Sequence, residues 1–515
     1  MLEEGTLRPG EMTEIRVGGE HRHNSAWLHD YNCALTETAM CIKVVVNGAC
    51  ISRQKRGNVL MAATDMTEGN ITKHLVRYSV PLVLGNLFQL TYNAVDSIIA
   101  GRFIGKEALA AEGMASPVMN IVILGISGIC MGAGVLMSEF FGAKKYEDLK
   151  KEMSTAVLFG LCFSMAVVGL GVIFTPLLLR ALHVPEGLMG MTVTYLRIIF
   201  LGAPFTYFYN ALASALKSVG DSKTPLKFLM FSSVLNGVLD LIFIGGLGFG
   251  IVCSAVTTVI AEAVSALLSI AYVYRKIPLL QLGKGEFRMD RQLLKTTLQF
   301  GSVTALQQSC QPIGKLLIQG AVNPLGVDMI AAFNAVGRVD DFAFTPEQSI
   351  SHGITTFAAQ NRGAGRTERI REGFLKGLRL EFCYWIFICI AITLFKKPVM
   401  GLFVTGDSAG QIVALGSQYL GTMALFYLLP AFTNGIQGYF RGMGNMNITL
   451  ICTFIQTSLR VVFTWLLAPV MGIYGVAFAC AIGWSAMLLV EVPYYFYFSR
   501  QVSVKQRQNS LKKNR

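Results

Sequence analysis

The chain is poor in charge and lacks the motifs of common enzyme classes. Asp, Glu, Lys and Arg make up 15% of its residues, against 53% hydrophobic ones. So few charges cannot clothe the surface of a soluble protein of 515 residues. No GxxxxGK[ST] run is present, which argues against ATP as the direct energy source. HExxH and GxSxG are missing as well, and a membrane-embedded enzyme would need such a metal-binding or nucleophilic set. The 11 Cys are scattered, mostly inside apolar runs, with no CxxC and no Cys/His cluster, so they read as small reduced hydrophobes. Residues 1–65 are polar and hold no secretory h-region. Their His21, His23, Cys33 and Cys41 fit no standard metal spacing, and a disordered extension is expected. Met66 opens the stretch MTEGNITKHL and offers a second candidate start.

What is abundant is long apolar text. Runs such as ASPVMNIVILGISGICMGAGVLMS and WIFICIAITLF reach or approach the ~20 residues that cross a hydrocarbon core. In lipid the backbone must satisfy its own hydrogen bonds, so these runs must be helices. Twelve spans are predicted near 76–100, 116–140, 153–178, 192–215, 226–246, 251–274, 294–320, 331–358, 374–395, 411–436, 447–468 and 473–498. Six precede the loop at 275–293 and six follow it.

The two halves repeat one another. AGRFIGKEALAAEGMASP and EFFGAKKYEDLKKEMSTAVLFG in the first are answered by QGAVNPLGVDMIAAFNAVG and AAQNRGAGRTERIREGFLKG in the second. Downstream, ALASALKSVGDSKTPLKF is answered by GIQGYFRGMGNMNITL, with Gly220 facing Gly444. An even number of spans per half makes the repeat parallel, about an axis along the membrane normal. Residues 66–280 are expected to form one lobe, 281–500 a second, and 501–515 a basic tail.

Lys and Arg set the orientation. They crowd the loops after even-numbered spans, as in Lys144, Lys145, Lys150 and Lys151, Lys217, Lys223 and Lys227, Arg275 to Arg291, and Arg362, Arg366, Arg369 and Arg371. The opposite loops hold little beyond Arg102, Lys106, Arg180, Lys396 and Lys397. The positive-inside rule therefore puts both termini in the cytoplasm. The net charge of +13 is a topology signal, not the footprint of a nucleic acid.

Polar residues within spans are costly and point to function. Span one places Gln89, Tyr92, Asn93 and Asp96 on one helix face. Span five carries Asn236 and Asp240 four apart; span six carries Thr257 and Thr258 above Glu262. Such oxygen donors suit a hard cation such as Na⁺, and a buried Asp can equally hold and release a proton. In the second half, span seven carries Gln307, Gln308, Gln311 and Lys315, and span eight adds Arg338, Asp340, Asp341 and Glu347. Lys315 is expected to pair with one of these acids inside the bundle, which would leave ion coupling to the first half. Pro81, Pro117, Pro204, Pro346, Pro430 and Pro469 are candidate bends.

Taken in order, YNAVDSIIAGRFIGKEALAA, FFGAKKYEDLKK, AAQNRGAGRTERI and GYFRGMG resemble the multidrug and toxic compound extrusion (MATE) family, and its MepA-like, DNA-damage-inducible branch above all. The resemblance covers about residues 66–500 and implies an all-α polytopic protein, with twelve transmembrane helices in two parallel six-helix bundles around a central cavity. It further implies export of cationic amphipathic drugs in exchange for H⁺ or Na⁺, with no other cofactor. Such a protein is expected to be a monomer of the bacterial inner membrane. The family's first-lobe cation site falls on Asp96, Asn236, Asp240 and Thr258. Gln89, Tyr92, Asn93, Gln307, Gln311 and Lys315 are the candidate cavity residues. Gln311 stands where some relatives carry an acid, span ten lacks another, and Glu139 stands where many members have Gln. A lipid-linked oligosaccharide flippase would instead need an Arg-rich cavity, toward which only Arg338 and Lys315 point.

Overall fold

The computed structural model describes residues 63–283, 285–402 and 409–513, apart from the side chains of 94–98, 100, 101, 106, 109, 503 and 505–513. The expected extension and its His and Cys residues lie outside the described residues, as do the side chains of the basic tail. Ala62–Arg515 is one compact unit.

The first half runs α1 (Ile71–Ile99), a π-helical turn (Ala100–Ile104), α2 (Lys106–Gly142), α3 (Tyr146–Ala181), α4 (Glu186–Ser218), α5 (Lys223–Asp240), a second π turn (Leu241–Gly246) and α6 (Ile251–Lys276). The second runs α7 (Arg291–Val322), α8 (Val327–Gly363), α9 (Thr367–Gly401), α10 (Ala409–Phe426), α11 (Leu428–Gly442), α12 (Met446–Met471) and α13 (Ile473–Lys513). Helices α10 and α11 are the tenth span, bent by 46° at its middle. Pro430 stands at this break, where a missing amide and a ring clash free the preceding carbonyls. Pro81, Pro117, Pro204, Pro346 and Pro469 lie inside helices that continue through them.

Among the described residues eight helices are long and apolar enough to cross a membrane, nine with the bent pair. Helices α1, α7 and α8 fall short, and all three carry the amides and charges noted above. By contrast α3 turns Ile173 and Leu177, and α9 turns Leu394, outward with more than half of each side chain exposed. Such surface is stable only against hydrocarbon.

The duplication recurs in the backbone. Gly105 and Gly326 open α2 and α8 with φ of 115° and 103°, and Gly220 and Gly444 close α4 and α11 with φ of 84° and 74°. These conformations are open to glycine at little cost. Lys144 (φ 58°) holds the place that Gly365 (φ 69°) holds in the second copy.

The halves join at the end that bears the basic loops. Gly142 of α2 meets Gln360 of α8 so closely that an added Cβ would lie 1.9 Å from the Gln360 carbonyl oxygen. Gly363, the repeat counterpart of Gly142, stands 1.9 Å by the same measure from the carbonyl oxygen of Glu139. Two helix ends thus cross backbone to backbone about the pseudo-twofold axis. Around the crossing, Arg362 pairs with Glu139, the Tyr78 and Thr356 hydroxyls bond at 2.9 Å, and the Asn86 amide donates to Ser349 at 3.2 Å. The segment before α1 is stitched on as well: the Met66 amide donates to Gln360 at 3.0 Å. Arg369 donates to the carbonyls of Met66, Glu68 and Gly69. The linker between halves straps onto α3 through Lys150–Glu286 at 2.9 Å and through Ser154 and Thr155. The Gly283 amide, and then the Lys150 ammonium, hold the Glu286 carboxyl below its usual range.

The substitution of Glu for Gln at 139 therefore has a partner across the halves. Glu139→Gln should cost about 1 kcal/mol, since the pair is part-exposed. A double-mutant cycle with Arg362→Gln, read by thermal unfolding in detergent, should find the double variant no less stable than the worse single one.

Candidate functional site

Helix α5 ends at Asp240, and a π turn starts at the next residue. A π turn bonds i to i+5 and inserts an extra residue, which re-aims the side chains beyond it; such turns are frequent at functional sites. Helix α1 behaves alike, passing into its own π turn four residues after Asp96. The two turns are neighbours, with Phe103 of one 3.6 Å from where a Cβ on Gly245 of the other would lie. Gly85 lets α1 settle onto α5, since a Cβ there would stand 2.7 Å from Leu226. The side chain of Asp96 lies outside the described residues.

Asp240 is completely buried. The Asn236 amide, one turn back, donates to its Oδ2 at 3.0 Å. The hydroxyl of Thr257 on α6 donates to Oδ1. Thr258, the residue expected at the site, bonds elsewhere. One residue along a helix rotates the side chain by about 100°, and Thr258 donates to the Ser254 carbonyl at 2.9 Å. Thr257, one residue earlier, is the threonine bonded to Asp240. Near it, Glu262 accepts from Thr206 of α4 at 2.5 Å.

On α1, Gln89 and Asn93 are exposed and Tyr92 is half-buried. In the second half the predicted cavity residues separate. Gln307 is buried and closed into a network, donating to Gln437 at 2.7 Å and Thr453 at 3.2 Å and accepting from Thr449 at 3.1 Å. It ties α7 to α11 and α12. Gln311 is exposed and donates to Gln456 at 3.0 Å. Lys315 pairs with Asp341 at 2.8 Å, but both side chains are half-exposed, so the pair is not inside the bundle as expected. Asp340 is the buried acid of that pair of neighbours, and it accepts from the Tyr427 hydroxyl.

Besides Asp340, the second lobe buries three further acids among the described residues. Glu347, Glu381 and Glu491 lie in α8, α9 and α13, each at most 1% exposed. Neither carboxylate oxygen of Glu381 meets a hydrogen-bond donor. Glu381 and Glu491 each sit alone in apolar text, FCYWIFIC after one and MLLV before the other. Treating any acid inside a span as functional would have flagged both.

Comparison with known proteins matches this architecture. A profile of the MatE family covers residues 81–242 and 304–466, the same stretch of each half and more than half of the chain. The probable multidrug resistance protein YpnP of Bacillus subtilis (strain 168) is 29% identical over 440 residues, 85% of this chain and 97% of that protein. The multidrug export protein MepA of Staphylococcus saprophyticus is 23% identical over 439 residues, 82% of this chain and 94% of that one. A FAD transporter of Shewanella oneidensis is 23% identical over 390 residues, 74% and 85% of the two chains. Among solved structures, MATE in complex with MaL6 superposes with a TM-score of 0.80 at 24% identity, over 88% of this chain and 100% of that chain. That likeness speaks for the fold alone. The chain therefore belongs to the MatE family, whose members are multi-pass membrane transporters and not enzymes.

Proposed function

We propose that the protein is a multidrug exporter that moves small amphipathic molecules out of the cell in exchange for H⁺ or Na⁺. The observation that carries the reading is Asp240, a fully buried carboxylate held by Asn236 and Thr257 at a break in helical geometry. A buried charge is expensive unless something compensates it, and an entering proton or Na⁺ does so. Asp240, Asn236 and Thr257, with Asp96 as the fourth group, offer oxygens alone, which serves either ion. An ion that binds one lobe arrangement better than the other shifts the equilibrium by that difference in affinity. Helix ends that cross at Gly142 and Gly363 fit the arrangement closed toward the basic loops, which the positive-inside rule places in the cytoplasm. Names of relatives such as YpnP and MepA support drug export, and the acids of the first half suit cationic cargo. The setting is the bacterial inner membrane, with the protein working as a monomer.

The test is uptake of ethidium into inside-out vesicles, driven separately by a pH gradient and by a Na⁺ gradient. One of the two should drive uptake well above vesicles lacking the protein. If neither gradient does so, the antiport reading is wrong.

A further inference from the structure

Between the halves, next to the crossing of α2 and α8, lies a cavity of about 170 Å³. At about 30 Å³ per water in the liquid it has room for roughly half a dozen. Helices α1, α2 and α4 of the first half and α8 of the second line it, and its wall is rich in polar groups. Two of the lining residues carry or can carry positive charge, Lys217 of α4 and His352 of α8, while no Asp or Glu contributes to the wall.

The neutral polar groups around them are already occupied. Ser138 and Ser214 donate to backbone carbonyls at 2.7 and 2.6 Å. Thr355 donates to the carbonyls of Ser351 and Gly438, and Asn210 to that of Thr206 at 2.8 Å. Lys217 is different. An ammonium has three donors and no acceptor, yet among the described residues Lys217 takes part in no ion pair. Its repeat counterpart, Arg441, donates to Ser351 at 2.6 Å. The two copies thus place a basic side chain at the same point of the repeat.

We propose that the cavity is a cargo subsite for an anionic group, a phosphate or carboxylate, held by Lys217 and His352. An anion there would accept from Lys217 in charge-assisted hydrogen bonds and neutralise a charge that the fold leaves uncompensated. Cargo would then include amphiphiles with a negative group, and zwitterions whose positive end meets the acids of the first half. Only the word cargo rests on the reading of the protein as an exporter, because anion binding needs no gradient.

The experiment is calorimetric titration of the full chain in phosphatidylcholine nanodiscs with 1-naphthyl phosphate and with 1-naphthylmethylammonium. The wild type should bind the phosphate at least tenfold more tightly than the amine. Lys217→Gln should remove that preference, and Lys217→Arg should retain it, with thermal unfolding of each variant verifying the fold. If the amine binds as tightly as the phosphate, or the preference survives in Lys217→Gln, the subsite does not exist. Repeating the titration with phosphatidylglycerol in the discs separates the sources of the anion. Unchanged affinity identifies a soluble cargo; a loss of affinity confined to proteins that keep Lys217 identifies a lipid headgroup competing for the same anion site. Lost preference in Lys217→Gln supports the subsite, and gradient-driven ethidium uptake by the wild type supports the export reading independently.

Discussion

Cells producing Asp240→Asn should accumulate drug as if they made no transporter, while the purified variant unfolds within a few degrees of wild type. The expectation follows from the hydrogen bonds around this side chain. Asp240 accepts from Thr257 at one oxygen and from the Asn236 amide at the other. An asparagine keeps the first acceptor in place. Its new NH₂ would face the NH₂ of Asn236, but a flip of the Asn236 amide turns an oxygen toward it and restores the bond. Shape and hydrogen bonding therefore survive at a cost of about 1 kcal/mol, and what disappears is the capacity to carry a charge and exchange it for an ion. Asn236→Ala should be the milder change in transport, since the carboxylate remains. Normal efflux by Asp240→Asn in a pump-deficient host would exclude Asp240 from coupling.

The second large effect is expected from the glycine crossing. Alanine at 142 or 363 puts a Cβ 1.9 Å from a carbonyl oxygen of the facing helix. A close C···O contact is ~3.3 Å, so the two helix ends must part by on the order of 1.5 Å. The neighbouring atoms are backbone, with no side chain that can swing away. The arrangement closed at the basic end is then disfavoured, and export by Gly142→Ala or Gly363→Ala should fall at least tenfold. Spin labels at positions 151 and 368, with other accessible cysteines replaced, should report a longer distance in both variants. Unchanged distance together with normal export would mean that the crossing is incidental to transport. The two substitutions should behave alike, because each is the other's image in the repeat.

Much of this architecture was legible before any coordinates. Twelve spans, their approximate ends and the internal duplication follow from residue order, and the structure has helices over all twelve segments, nine of them apolar enough to cross a membrane among the described residues. The polar positions of spans one and five were legible too, because charge inside a span is costly enough to stand out. Three features were not. Thr257 and Thr258 are chemically identical neighbours, and only the packing of α6 against α5 decides which one turns toward Asp240. Gln307 carries the same amide as Gln311, yet one is locked among α11 and α12 while the other is exposed. Lys315 faces two adjacent acids in the text and meets the exposed one, because Asp340 already accepts from Tyr427, a residue 87 positions away.

The division has a physical origin. Lipid offers no hydrogen-bond partners, so a run of apolar residues dictates a helix and its length by composition alone. The glycines, the basic loops and the twofold repetition are likewise written in the order of residues. Contacts between helices depend on rotation by about 100° per residue and on approaches measured in tenths of an ångström. Which carboxylates are buried, that Glu139 has a cation to meet across the halves, and that Lys217 faces a cavity without one acid on its wall all depend on that packing.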